Sequence, residues 1–130
     1  MKYVILIYGN PESRKIWEGL SDSDRAAALR VYAELTKSLA DSGELIMAQA
    51  LADPALTRRV PATPGFSDLR DPGGLETDAP LAEAKECLAG FYLVDCADID
   101  RALAIAARVP EAAYGMVEVR PAMTYAMPEV

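Results

Sequence analysis

The sequence predicts an α+β fold built on one four-stranded antiparallel sheet, and three observations carry that prediction. β-rich runs and segments of helical period follow one another in the order β-α-β-(insert)-β-α-β. Two of the runs, Tyr3 to Tyr8 and Gly90 to Asp95, are apolar on both faces and read as the central strands. The chain has 130 residues, 52% of them hydrophobic, which suits one domain with its own core and argues against disorder. Right-handed crossovers then place both helices on one face of the sheet.

The elements follow in order. In the first strand Tyr3, Ile5 and Ile7 point to one face and Val4, Leu6 and Tyr8 to the other, until Gly9-Asn10-Pro11 ends it. Ser21 is a helix N-cap, with Asp24 placed to complete a capping-box-like arrangement. The helix runs from about Asp22 to Asp41, with Leu29, Tyr32, Leu35, Thr36 and Leu39 at helical spacing and Gly43 as the left-handed stop. Leu45 to Leu51 is the second strand. Ala52 to Pro80 is a proline-rich insert, within which Thr57 to Val60 and Leu75 to Thr77 are expected to pair as a small hairpin. After the third strand, Asp98 caps a helix reaching about Arg108, its apolar face given by Ala102, Leu103, Ala106 and Ala107. Met116 to Arg120 is the fourth strand, and Pro121 ends it.

Two helices cover one face only. The other face carries Tyr92 or Phe91, Leu6 or Ile5, and Met116, a large apolar surface for a monomer to show to water. Packing two sheets face to face buries it, so a two-fold homodimer is expected. The competing reading, the insert folded over this face, is disfavoured because the insert is polar and proline-rich.

Composition excludes several functions. A formal charge of −7 with no basic cluster argues against nucleic acid. Cys87 and Cys96 are too few for a zinc site, and they read as reduced thiols in a cytosolic core rather than a required disulfide. The apolar start of the chain is short and lacks a small-residue cleavage site, so it reads as a strand rather than a signal peptide. No stretch nears the roughly 20 apolar residues of a membrane span. The expectation is a soluble cytoplasmic protein with no nucleic-acid or membrane partner. No motif for a flavin, nicotinamide, haem or metal is present, so no cofactor is expected.

Three segments carry a family resemblance. Met1-Lys2-Tyr3-Val4-Ile5-Leu6-Ile7-Tyr8-Gly9, the run Thr77 to Glu86 continuing into Gly90 to Asp95, and Val117-Glu118-Val119-Arg120-Pro121 together resemble YCII-related proteins of the DGPF group. The similarity spans about Met1 to Met123. It implies a ferredoxin-like fold paired into a dimeric α+β barrel, with a pocket near the sheet and the DGPF loop. It implies no particular reaction. The name motif here reads Asp78-Ala79-Pro80-Leu81, so the glycine and the phenylalanine are both replaced. The His–Asp pair usually credited with YCII-type chemistry has no counterpart, because the chain contains no histidine.

Acid–base work must then fall to carboxylates, lysine, tyrosine or cysteine. Asp78 and Glu83 are the candidate catalytic groups, with Lys85 and Glu86 beside them. Asp78 either reaches a ligand or caps the turn before Pro80, and Glu83 either works in the pocket or forms an ion pair. On the fourth strand Glu118 and Arg120 share a face opposite Val117 and Val119. Arg120 can grip a carboxylate or enolate in bidentate fashion, or the two charges can fix the register of a dimer. Tyr8 and Tyr92 offer phenols to a ligand carbonyl or simply pack. Trp17, placed in a loop before the first helix, is either a lid or a staple, and Cys87 lacks the base a nucleophilic thiol needs.

Two functions follow as expectations. One is a cofactor-free enzyme acting by acid–base chemistry on a carbonyl, aromatic or polyketide-like compound, as an isomerase, cyclase or lyase. The other is a non-catalytic dimer that binds or senses a metabolite.

Overall fold

A computed structural model describes residues 1–62 and 86–124 of the chain. Asp78, Glu83, Lys85 and the expected strand Leu75 to Thr77 lie outside the described residues.

The four strands are β1 (Lys2–Gly9), β2 (Leu45–Ala50), β3 (Cys87–Asp95) and β4 (Val117–Pro121). They form one sheet in the order β2-β3-β1-β4, and each of its neighbouring pairs is antiparallel. The two strands apolar on both faces are the two in the middle, as expected of a ferredoxin-like α+β fold.

The helices are α1 (Pro11–Gly19), α2 (Asp22–Ser42) and α3 (Ile99–Ala106). α1 is an element beyond those the sequence pattern predicts. Gly9-Asn10-Pro11 ends β1, but the same residues also start a helix. Asn10 accepts a hydrogen bond from Ser13 N–H at 2.7 Å, the Asn10 N–H donates to Ser13 Oγ at 2.9 Å, and Pro11 needs no partner in the first turn. Trp17 therefore sits on a helix and not in a loop. Arg25 of α2 donates to the carbonyls of Trp17, Glu18 and Leu20 and lies 5.7 Å from the centre of the Trp17 ring, which ties the C-terminal end of α1 to α2.

α2 begins where Ser21 Oγ accepts from Asp24 N–H, and it ends at Gly43 with φ +79°. Its buried residues are Leu35 and Leu39, with Tyr32 packed beside them, whereas Leu29 is exposed. In α3, capped by Asp98, the buried face is Ala102, Ile105 and Ala106. Leu103 and Ala107, expected on that face, point to solvent, since a stripe of 3.6-residue period through Ala102 and Ala106 takes in Ile105 and Val109 instead.

Both α2 and α3 pack on one side of the sheet. The core joins Leu35 and Leu39 of α2 and the buried face of α3 to Tyr3, Ile5 and Ile7 of β1 and to Tyr92 and Val94 of β3, with Ala48, Val117 and Val119 at its margin. After β2, Asp53 caps a short 3-10 turn at Pro54–Leu56. Thr57 to Val60 follows it as irregular chain and not as the expected hairpin strand.

Candidate functional site

Among the described residues no helix packs on the second face of the sheet, here called the uncovered face, and its make-up follows from register. Val4 pairs with Leu93 on one side and Arg120 on the other, and Leu93 pairs in turn with Met47. Leu6 pairs with Phe91 and Glu118, and Phe91 with Gln49. Residues alternate between faces along a strand, and Tyr3, Ile5, Ile7, Tyr92 and Val94 are all in the helix-side core. The opposite face therefore presents two rows across the sheet: Met47, Leu93, Val4 and Arg120, then Gln49, Phe91, Leu6 and Glu118.

This settles the choices left open by the sequence. Phe91 and Leu6, not Tyr92 and Ile5, are on the uncovered face. Val117 and Val119 pack toward the helices, which turns Glu118 and Arg120 to the uncovered side, both exposed. The ion pairs formed among the described residues include neither of them. Tyr92 is buried against the helices, its hydroxyl 3.3 Å from Thr36 Oγ1, so it faces away from Tyr8. Met116 lies just before β4 and is buried rather than displayed.

Tyr8 stands at one end of the uncovered face. Ile7 pairs with Gly90 and Tyr8 with Leu88, so Ala89 is an extra residue in β3 and makes a β-bulge there. Bulges bend a strand and re-aim its side chains. Gly9 pairs with Cys87, and Glu86 immediately precedes it. Tyr8 is thus at the end of the sheet where β3 begins.

The two cysteines cannot bridge within one chain. They mark the two ends of β3, about 30 Å apart at strand rise. Cys96 is buried, and burial pushes its thiol up from the ordinary value.

Two hydrogen-bonded side-chain pairs among the described residues join elements distant in the chain. Glu44, at the start of β2, is held down to about 2 by hydrogen bonds from Arg101 and then from Ser42. Glu111 accepts a hydrogen bond from the Tyr32 hydroxyl between α2 and the turn before β4; burial first, and that bond second, push the Tyr32 phenol above its usual range. Sequence reasoning singled out neither pair, because each joins residues far apart in the chain with no local pattern.

A four-stranded antiparallel sheet with helices packed on one side defines a small ferredoxin-like α+β domain. The chain belongs to the YCII-related family, whose domain matches residues 1–125. It is also 32% identical over 129 residues to an uncharacterized protein of Rhizobium meliloti (strain 1021), an alignment covering 96% of this chain and 94% of that protein. No helix among the described residues is long and apolar enough to cross a membrane.

Proposed function

We propose that this chain is a cytoplasmic, homodimeric small-molecule-binding protein of the DGPF type, with its uncovered sheet faces packed together and a ligand held at the Tyr8 end. The β-bulge at Ala89 carries this reading. It sets Tyr8, a phenol that can donate to a carbonyl oxygen, opposite Leu88 at the end of the sheet where β3 begins. Leu6 and Phe91 supply an apolar floor suited to an aromatic or polyketide-like compound.

A catalytic reading uses the same place. Asp78 and Glu83 would move protons without a cofactor while Tyr8 and Lys85 stabilise a developing oxyanion. The short chain distance from Lys85 to Cys87, the strand partner of Gly9, favours it.

The test is a thermal-shift screen of organic acids and aromatic ketones on the wild type, Tyr8→Phe and Asp78→Asn. The proposal expects a ligand that raises the wild-type melting temperature and does so less in Tyr8→Phe. Equal responses in those two proteins would remove Tyr8 from the site. Turnover of that ligand, lost in Asp78→Asn and Glu83→Gln with binding retained, would select the enzyme. Binding without turnover would select the non-catalytic dimer.

A further inference from the structure

Two arms of the chain meet at the Ala89 bulge. On one side α1 begins. A Cβ placed on Gly9 would stand 3.7 Å from Ser13 Oγ and 3.8 Å from the Ala89 Cβ, so the first turn of α1 rests against the bulge. On the other side β2 has just ended, and the Leu51 N–H donates to the Ala89 carbonyl at 2.8 Å. Arg14 follows Ser13 on the first arm, and Asp53 lies two residues past Leu51 on the second. Arg14 Nη1 and Asp53 Oδ1 are 3.8 Å apart, and their pair spans the start of β3, the strand between β2 and β1.

This ion pair is loose. Its separation is too long for a hydrogen bond, and the two side chains are 42% and 61% exposed. Asp53 also has a task that does not need Arg14: the same oxygen caps the 3-10 turn by accepting from the Ala55 N–H at 2.9 Å. Asp53 is the one ion-pair partner of Arg14 among the described residues. Arg101, by contrast, spends both arms of its guanidinium on Glu44. Arg14 therefore keeps a planar fork of donors that suits a carboxylate. Leu51 and Leu88, on either side of Ala89 in these contacts, expose apolar surface at the same end of the sheet.

We infer that the ligand of the Tyr8 end is an organic acid with an apolar body, and that Arg14 grips its carboxylate in exchange for Asp53. The exchange replaces one countercharge by another, so Arg14 is never left unpaired, and a 3.8 Å contact gives way to charge-assisted hydrogen bonds. Arg14 is then the group that selects acids over neutral analogues. This inference rests on the ligand site proposed above.

The probes are benzoate, salicylate, phenylacetate and benzoylformate, each beside its primary amide and with acetophenone as a ketone control. Affinities are read by calorimetry on the wild type, Arg14→Gln, Asp53→Asn and Tyr8→Phe. At least one acid should bind the wild type about tenfold more tightly than its amide, and Arg14→Gln should erase that preference while leaving the amide unchanged. Asp53→Asn keeps a capping oxygen and frees the guanidinium, so it should bind the acid more tightly than the wild type, a gain that misfolding cannot imitate. Acids and amides bound alike, or an acid preference that survives Arg14→Gln, overturns the inference. Acetophenone bound with no acid bound also overturns it and leaves the Tyr8 site standing. An acid preference lost in Arg14→Gln, with acid affinity untouched in Tyr8→Phe, separates the two groups and overturns the shared site. Binding of none of these compounds overturns the inference and the proposed function together.

Discussion

Arg101 holds Glu44 with both arms of its guanidinium, Nε to Oε2 at 2.9 Å and Nη2 to Oε1 at 2.8 Å, and so ties α3 to the start of β2. The Glu44 side chain is 16% exposed and that of Arg101 42%. Because the Glu44 carboxyl is held at about 2, below its ordinary 4.5, the pair stabilises the fold fully above the ordinary range. That contribution is lost as pH falls from about 4.5 toward about 2.

Glu44→Gln is expected to lower stability near neutral pH by about 1 kcal/mol, a small value because one partner faces water. The gap between variant and wild type should close as the pH is brought down through that window, in urea titrations at a series of pH values. A gap that stays constant with pH would show that the loss is not electrostatic.

Gly90 lies where β2 and β3 approach closely. A Cβ there would stand 2.7 Å from the Gln49 carbonyl oxygen, a backbone atom that moves only with its strand. Gly90→Ala is expected to cost about 1–3 kcal/mol by forcing β2 outward. Chemical denaturation measures it, and an unchanged midpoint would mean that the edge strand yields freely.

Tyr32 donates to Glu111 from a partly buried position, and both burial and the bond oppose its ionisation. Spectrophotometric titration of the native protein should show this phenol still protonated above pH 10, while it ionises normally in urea. A raised folded pKa gives a contribution that is complete below the ordinary phenol value and shrinks as pH rises past it. Tyr32→Phe should therefore cost about 1 kcal/mol at neutral pH and less above pH 10.

α1 contributes none of the buried core and is tied to α2 by Arg25. Trp17 is the chain's one tryptophan, so its fluorescence reports on α1 directly. Arg25→Ala should shift that emission to the red while the melting temperature falls by only a few degrees, roughly 1 kcal/mol or less. A large drop in melting temperature would mean that α1 supports the core after all.

Most of the fold was legible in the chain because its signals are local. Ser21, Gly43 and Asp98 mark helix ends through contacts within a few residues, and all three do so in the structure. The apolar runs of β1 and β3 could lie only in the middle of a sheet, and they do. α1 went unread because Gly9-Asn10-Pro11 reads equally as a stop and as a start, and only the reciprocal Asn10–Ser13 bonds decide between them. In α3 several apolar residues, Leu103 among them, compete for the buried face, and only docking on the sheet selects Ile105.

The candidate site was less legible. That Glu118 and Arg120 share a face, and that it opposes Val117 and Val119, is a consequence of strand alternation and was determined by the sequence alone. Which side of the sheet that face belongs to, which of Phe91 and Tyr92 shares it, and how the Ala89 bulge sets Tyr8 against Leu88 were decided only by the tertiary structure. The reason is physical. Alternation defines two faces from neighbouring residues, but the helices choose the one they cover, and a bulge appears only when two strands distant in the chain are paired residue against residue.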